Sequence, residues 1–189
     1  MANCDPNGDI VGTGFVATER LIVTCAHVVE HAGGGLGESI GVRFHINSAQ
    51  QTAQVASEYW RVPEANDIAV LRLAENLPAG VKPLNLGQSI GSDQHAFRSS
   101  SYPNVGLAAS GTIEVVTQKA GGRHMVQLTS SQLAQGHSGA PVWDELQQRV
   151  VGMVSEVNLA GKDNKNRDTA FATPTETLWQ VCMELRPKQ

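Results

Sequence analysis

The sequence predicts an all-β protein: two small antiparallel barrels sharing one interface, followed by a C-terminal α-helix. Three observations predict it. Short apolar segments of strand length recur through both halves, separated by Gly, Asn, Pro or Ser. Between the halves, from about Ala74 to Asn104, those breakers accumulate and periodicity fades, as a crossover between two barrels requires. The chain has 189 residues, of which 41% are apolar and 17% charged, enough to close a sizeable core as one globular unit.

The N-terminal barrel is expected over about residues 8–74, from the segments GTGFVAT, RLIVT, IGVRFHI, QTAQVASEYW and DIAVLRL. GTGFVATERLIVT reads as a hairpin turning near Glu19 and Arg20. Neither residue suits a two-residue turn, so a longer loop is expected. The crossover covers about 75–104, and the C-terminal barrel about 105–173, from VGLAASGTIEVVT, RHMVQLT, GAPVWD, RVVGMVSEV and TAFAT. A helix over about 174–186 is signalled by the Thr173 hydroxyl as a cap, Pro174 at the first helical position and the Glu176 carboxylate behind it. Leu178, Val181, Cys182 and Leu185 then recur at helical spacing and predict one apolar stripe laid on the body. Trp60, Trp143 and Trp179 are expected as core and barrel-interface anchors.

Composition narrows the function. The formal net charge is −4 and no run of Lys and Arg could track a phosphate backbone, so nucleic acid is not expected as a partner. The segment Lys162–Arg167, KDNKNR, reads as a solvated loop. No segment is long and apolar enough to span a membrane, and the N-terminal stretch lacks the basic and apolar parts of a leader, so a cytoplasmic location is expected. Cys4, Cys25 and Cys182 are odd in number and follow no framework spacing; three free thiols are expected. His27 and His31 stand four apart with Cys25 close by, but no third and fourth ligands follow at finger-like spacing, so neither metal nor cofactor is expected. His45, His95 and His124 read as surface residues.

Three short strings carry chemistry. A serine hydroxyl is a poor nucleophile near neutral pH; acyl transfer needs a base to take its proton and a buried acid to orient that base. TCAHVV sets His27 directly after a β run, NDIAVLRL sets Asp67 at the head of a buried strand, and GHSGAPV sets Ser138 in a glycine-flanked turn. Each string alone is weak, since serines sit in many turns and histidines in many cores; their co-occurrence in the order His, Asp, Ser is specific.

With those strings the sequence resembles the trypsin-like serine peptidase superfamily over nearly its whole length, and is most similar to bacterial single-chain members. The resemblance implies the chymotrypsin-like fold, two six-stranded antiparallel β-barrels with a C-terminal α-helix. It implies a serine endopeptidase that cleaves protein or peptide substrates through an acyl-enzyme, with His27, Asp67 and Ser138 as catalytic triad and the amides of Gly136 and Ser138 as oxyanion hole. By the same resemblance Gln132, Ser155 and Glu156 fall at substrate-binding positions. Gln132 takes the place that is acidic in enzymes cutting after Arg or Lys, so a basic P1 preference is not expected unless Glu156 or Asp168 supplies the charge. His137 takes the place of the acid that binds a newly cut N-terminal amine, so activation by N-terminal cleavage is not expected. Compact relatives serve as effector modules attached to a sensor or scaffold protein, and that is the expected setting. Two other readings are a non-catalytic module that binds an extended peptide by strand addition, and a periplasmic quality-control peptidase.

Overall fold

A computed structural model describes residues 1–46, 48–101, 108–118, 122–134, 136–157 and 168–187. The first barrel comprises β1 (Ala2–Cys4), β2 (Ile10–Val16), β3 (Leu21–Thr24), β4 (Ser39–Arg43), β5 (Gln50–Val55) and β6 (Ala69–Leu73), closed in the order β1-β2-β3-β6-β5-β4. The second comprises β7 (Ala96–Ser100), β8 (Ala108–Gln118), β9 (His124–Thr129), β10 (Pro141–Asp144), β11 (Arg149–Val157) and β12 (Thr169–Pro174), closed as β10-β11-β12-β9-β8-β7. Both barrels have six strands and every paired neighbour runs antiparallel, so the expected chymotrypsin-like architecture is present.

Two strands escape the sequence reading. β1 is only three residues long with a fully buried polar residue, Asn3, at its centre, so it shows no apolar pattern. It begins ahead of the expected start of the first barrel. β7 lies inside the segment read as crossover, which therefore ends at His95. Its inward positions are Phe97 and Ser99, and the small polar Ser99 hides the alternation. The β2–β3 hairpin does carry the longer loop, residues 17–20, with the amides of Ala17 and Thr18 both donating to the Leu21 carbonyl.

Strands at the barrel junction are buried on both faces, and so read as unbroken apolar runs. In β2 and β3, Val16 and Ile22 point into the first barrel while Phe15 and Val23 point to the interface. There they meet Val150 and Met153 of β11 from the second barrel. Trp143 and Trp179 pack on this shared cluster and Trp60 on the first barrel's own core, as expected.

The C-terminal helix is shorter than expected: α2 (Thr175–Val181; α1 is the Ala26–His31 helix after β3) passes into a 3₁₀ turn over Met183–Leu185. Leu178 and Cys182 are fully buried against the interface cluster, with Leu185 and Val181 beside them. Thr173 ends up in β12 and Pro174 becomes the cap residue. The Glu176 carboxylate caps no helix amide; it accepts the Ser89 amide and hydroxyl, both at 2.8 Å, tying the helix to the crossover.

His95 is not the surface residue expected. Its ring is 20% exposed and its Nδ1 lies 2.8 Å from the Oδ2 of a fully buried Asp144. Burial alone would push the Asp144 carboxyl up, but the Gln147 amide, Ser92, His95 and the Leu146 amide together hold it below the usual carboxylate range. A carboxyl depressed in the folded state stabilises the protein above its unfolded pKa, and that contribution fades as pH falls through the folded value. Wild type is therefore expected to lose stability progressively below about pH 4. Asp144→Asn, which keeps the shape but not the charge, should be less stable at pH 7 by about 1–3 kcal/mol and should show a flatter acid limb in urea unfolding followed across pH. Identical acid limbs would assign the effect elsewhere.

Candidate active site

The site forms where the two barrels meet, and each group is placed by a local feature. His27 is the second residue of α1, which starts as β3 ends. Asp67 ends the loop that precedes β6; its amide donates to the Val62 carbonyl at 3.1 Å and its backbone sits at φ +53°, a region Asp tolerates better than most residues. This turn aims the carboxylate back at α1. Oδ1 accepts the His27 amide at 3.0 Å, and Oδ2 lies 2.6 Å from His27 Nδ1. The side chains are 7% and 28% exposed respectively. An ionised carboxylate only accepts, so Nδ1 carries the proton and Nε2 is the ring nitrogen left to act as a base.

Ser138 comes from the second barrel, in the turn before β10. The His137 amide donates to the Ala134 carbonyl at 3.2 Å, and Gly136 sits at φ +98°. That sign of φ at the third position of a four-residue turn favours glycine. Gly139 follows at φ +84°, and a Cβ there would collide with the Thr13 carbonyl and the Thr24 hydroxyl. Among the described residues, neither the Gly136 amide nor the Ser138 amide donates to any protein acceptor. Both residues are half-buried, so these amides are open to water or to a ligand. Nor does a hydrogen bond join His27 to Ser138 among the described residues. Catalytic hydrogen bonds are often open in unliganded sites and tighten with substrate.

The turn is held by residues that the sequence reading did not single out. The Thr13 amide of β2 donates to the Ser138 carbonyl at 3.1 Å, and the Thr13 hydroxyl to the Gly136 carbonyl at 2.9 Å. Behind it, Thr24 Oγ1 and Asn3 Nδ2 donate to the Thr13 carbonyl at 2.6 and 3.0 Å. The one sequence signal was a hydroxyl within the apolar run GTGFV.

The substrate-side residues are partly committed. Ser155 sits at a bulge in β11, and its hydroxyl donates to the Phe171 carbonyl at 3.4 Å rather than to Asp67. Glu156 pairs with Arg123 at 3.0 Å, and Arg123 also reaches the Pro63 carbonyl of the loop before Asp67 at 3.4 Å. Gln132 accepts the amide and hydroxyl of Ser110 on β8 at 2.8 and 3.0 Å. Asp168 is exposed, and its carbonyl accepts the Ser130 amide at 2.7 Å. The KDNKNR loop lies outside the described residues.

Cys25 lies beneath the His27–Asp67 pair, fully buried, its thiol facing the Val154 carbonyl at 3.4 Å. Cys25, His27 and Asp67 have donor atoms within 4.8 Å of one another, a set of types that zinc accepts. His31 is near only as a ring, stacked edge-on at 6.0 Å from His27. Burial, then the Asp67 charge and its hydrogen bond, push the Cys25 thiol well above its ordinary value. The nearest nitrogen of His27 and oxygen of Asp67 are bonded to each other at 2.6 Å.

Two closed six-stranded antiparallel barrels, with a His–Asp pair on the first and a glycine-flanked serine turn on the second, are the architecture of the chymotrypsin fold. Residues 12–153, about three quarters of the chain, match the trypsin-like peptidase domain family, and the chain belongs to that family. Among solved structures it is similar to the HtrA-type protease AlgW with a decapeptide, at 20% identity and TM-score 0.71, covering 94% of this chain and 52% of that one. It is similar also to AlgW with a tripeptide, at 21% identity and TM-score 0.69, covering 92% of this chain and 55% of that one. At that identity the likeness speaks for the fold, and the chain spans about half the length of those proteins. Among curated protein sequences none matches it.

All three cysteines are free and buried. Native protein at pH 7.5 is expected to leave Cys25 unmodified by a disulfide reagent such as DTNB, with reaction appearing only in denaturant. Thiol titration with peptide mapping reads this directly; fast native labelling of Cys25 would contradict the buried, neutral thiol.

Proposed function

We propose that the chain is a serine endopeptidase in which Ser138 attacks the scissile carbonyl, His27 acts first as base and then as acid, and Asp67 orients the imidazole. The observation that carries this is the 2.6 Å His27–Asp67 contact, which assigns the ring proton to Nδ1 and leaves a basic Nε2 for the serine turn across the barrel junction. As the tetrahedral intermediate forms, charge moves onto the carbonyl oxygen. The unspent amides of Gly136 and Ser138 are the donors to receive it, each worth roughly 100- to 1000-fold in rate. Protonated His27 stays paired with the carboxylate until it delivers its proton to the leaving amine.

The substrate is a protein or peptide, laid along β11 beyond Val154, where the bulge at Ser155 interrupts the pairing with β12. The AlgW structures are named with bound peptides, which supports the same class of ligand here. Glu156 is balanced by Arg123 and Gln132 is uncharged, so neither supplies a free carboxylate for a basic P1 side chain. The open His27–Ser138 geometry favours a module whose turn is tightened by substrate or by a sensor or scaffold partner. Free buried thiols fit a reducing, cytoplasmic setting.

Ser138→Ala is expected to abolish both peptide turnover and labelling by a fluorophosphonate probe, while Asp67→Asn should lower kcat by roughly 10⁴-fold with the fold intact. Labelling that persists in Ser138→Ala would remove the assignment. In a panel of P1-varied peptides, apolar side chains are expected to outrank Arg and Lys; a basic preference would place an uncompensated carboxylate in the pocket.

A further inference from the structure

His31 closes α1 one turn beyond His27, and no step of acyl transfer uses it. We propose that His27 and His31 form a solvent-facing zinc site on α1, and that a Zn²⁺ ion held there disables the catalytic base. The site stands on geometry alone; its inhibitory effect rests on the peptidase reading above. Residues four apart on a helix lie on one face, one above the other. Here the two rings meet edge-on, with centroids 6.0 Å apart. A histidine pair at that spacing on one helix face is a recurring way of offering two imidazoles to zinc.

The His27–Asp67 bond prepares the outer side of the ring. With Nδ1–H donated to the carboxylate at 2.6 Å, His27 has a fixed tautomer, a fixed ring plane and a free lone pair on Nε2. A carboxylate behind the ring is also what orients histidines that bind zinc. The His27 side chain is 28% exposed and His31 is exposed, so an ion reaches the pair from solvent. Tetrahedral bonds of about 2.0–2.1 Å from zinc to nitrogen set two ligating rings about 5 Å apart, centre to centre. Asp67 holds His27 in place, so the approach is made by rotation of the exposed His31 side chain. Two imidazoles with waters completing the shell make a reversible site, unlike the four protein ligands of a structural zinc, and finger-like spacing is not required of it. A lone pair given to zinc cannot take the Ser138 proton, so occupancy and turnover exclude each other.

His31→Phe keeps an aromatic ring against His27 and removes both nitrogens. Zinc chloride is titrated calorimetrically into the full chain, wild type and His31→Phe, in a buffer that does not chelate. Wild type is expected to bind Zn²⁺ at least about 10-fold more tightly than His31→Phe, since losing a ligand costs no less than losing an outer-shell partner. In peptide turnover, zinc should inhibit wild type, EDTA should restore the rate, and His31→Phe should need at least about 10-fold more zinc for the same inhibition. Mg²⁺ should leave the rate unchanged, because it prefers oxygen ligands. If wild type binds zinc through His31 yet neither turns over peptide nor takes the fluorophosphonate label, the peptidase reading fails and the zinc site stands. Equal zinc affinity in wild type and His31→Phe, or no binding by wild type, overturns the site and leaves the peptidase reading untouched. Zinc inhibition that His31→Phe does not relieve, or equal inhibition by Mg²⁺, overturns the proposal too, because the ion then acts somewhere other than this pair.

Discussion

The site depends on the docking of one turn of the second barrel onto β2 of the first. His27 and Asp67 both belong to the first barrel and Ser138 to the second, so their relative placement is set by the packing between barrels. Phe15, Val23, Val150 and Met153 pack into one apolar cluster across the junction, but apolar contact is non-directional. Direction comes from hydrogen bonds. Thr13 supplies two of them, and the glycine at 139 is what lets the backbones approach closely enough to form them.

A second feature crosses the same junction. Arg123 of the second barrel pairs with Glu156 and reaches the carbonyl of Pro63, in the loop that ends at Asp67. One side of the cleft is thus tied by neutral hydrogen bonds at Thr13, and the other by the Arg123 guanidinium donating to the Pro63 carbonyl at 3.4 Å, its charge balanced within the second barrel by Glu156.

The thiol beneath the pair has a simple electrostatic reading. A charged group at Cys25 would repel the Asp67 carboxylate and undo the orientation of the imidazole. Burial and the carboxylate itself keep the thiol neutral. Ser155, which the family resemblance placed at a substrate-binding position, sits at the bulge in β11 with its hydroxyl donating to the Phe171 carbonyl. Local backbone geometry, not residue identity, decides which hydroxyl or thiol stands next to the acid.

Much of this was already legible in the linear chain. A doubly buried strand such as LIVT announces itself because no position on it faces solvent, and the three strings around His27, Asp67 and Ser138 combine residue types that acyl transfer demands in an order seen in few other settings. The spacing of Leu178, Cys182 and Leu185 likewise marked the apolar stripe that α2 and the 3₁₀ turn after it bury. What the chain hid was whatever depends on contacts between distant residues. β1 and β7 carry small or polar inward residues, Asn3 and Ser99, that look like loop until a barrel closes around them. Glu176 looks like a capping residue until Ser89 is brought to it, and His95 like a surface residue until Asp144 is. Thr13 looks like one polar residue in a strand until the turn at Gly136 arrives from 123 positions away. Periodicity encodes which face of an element is buried; it carries nothing about which partner the fold will set against that face, and hydrogen-bond direction is decided only there.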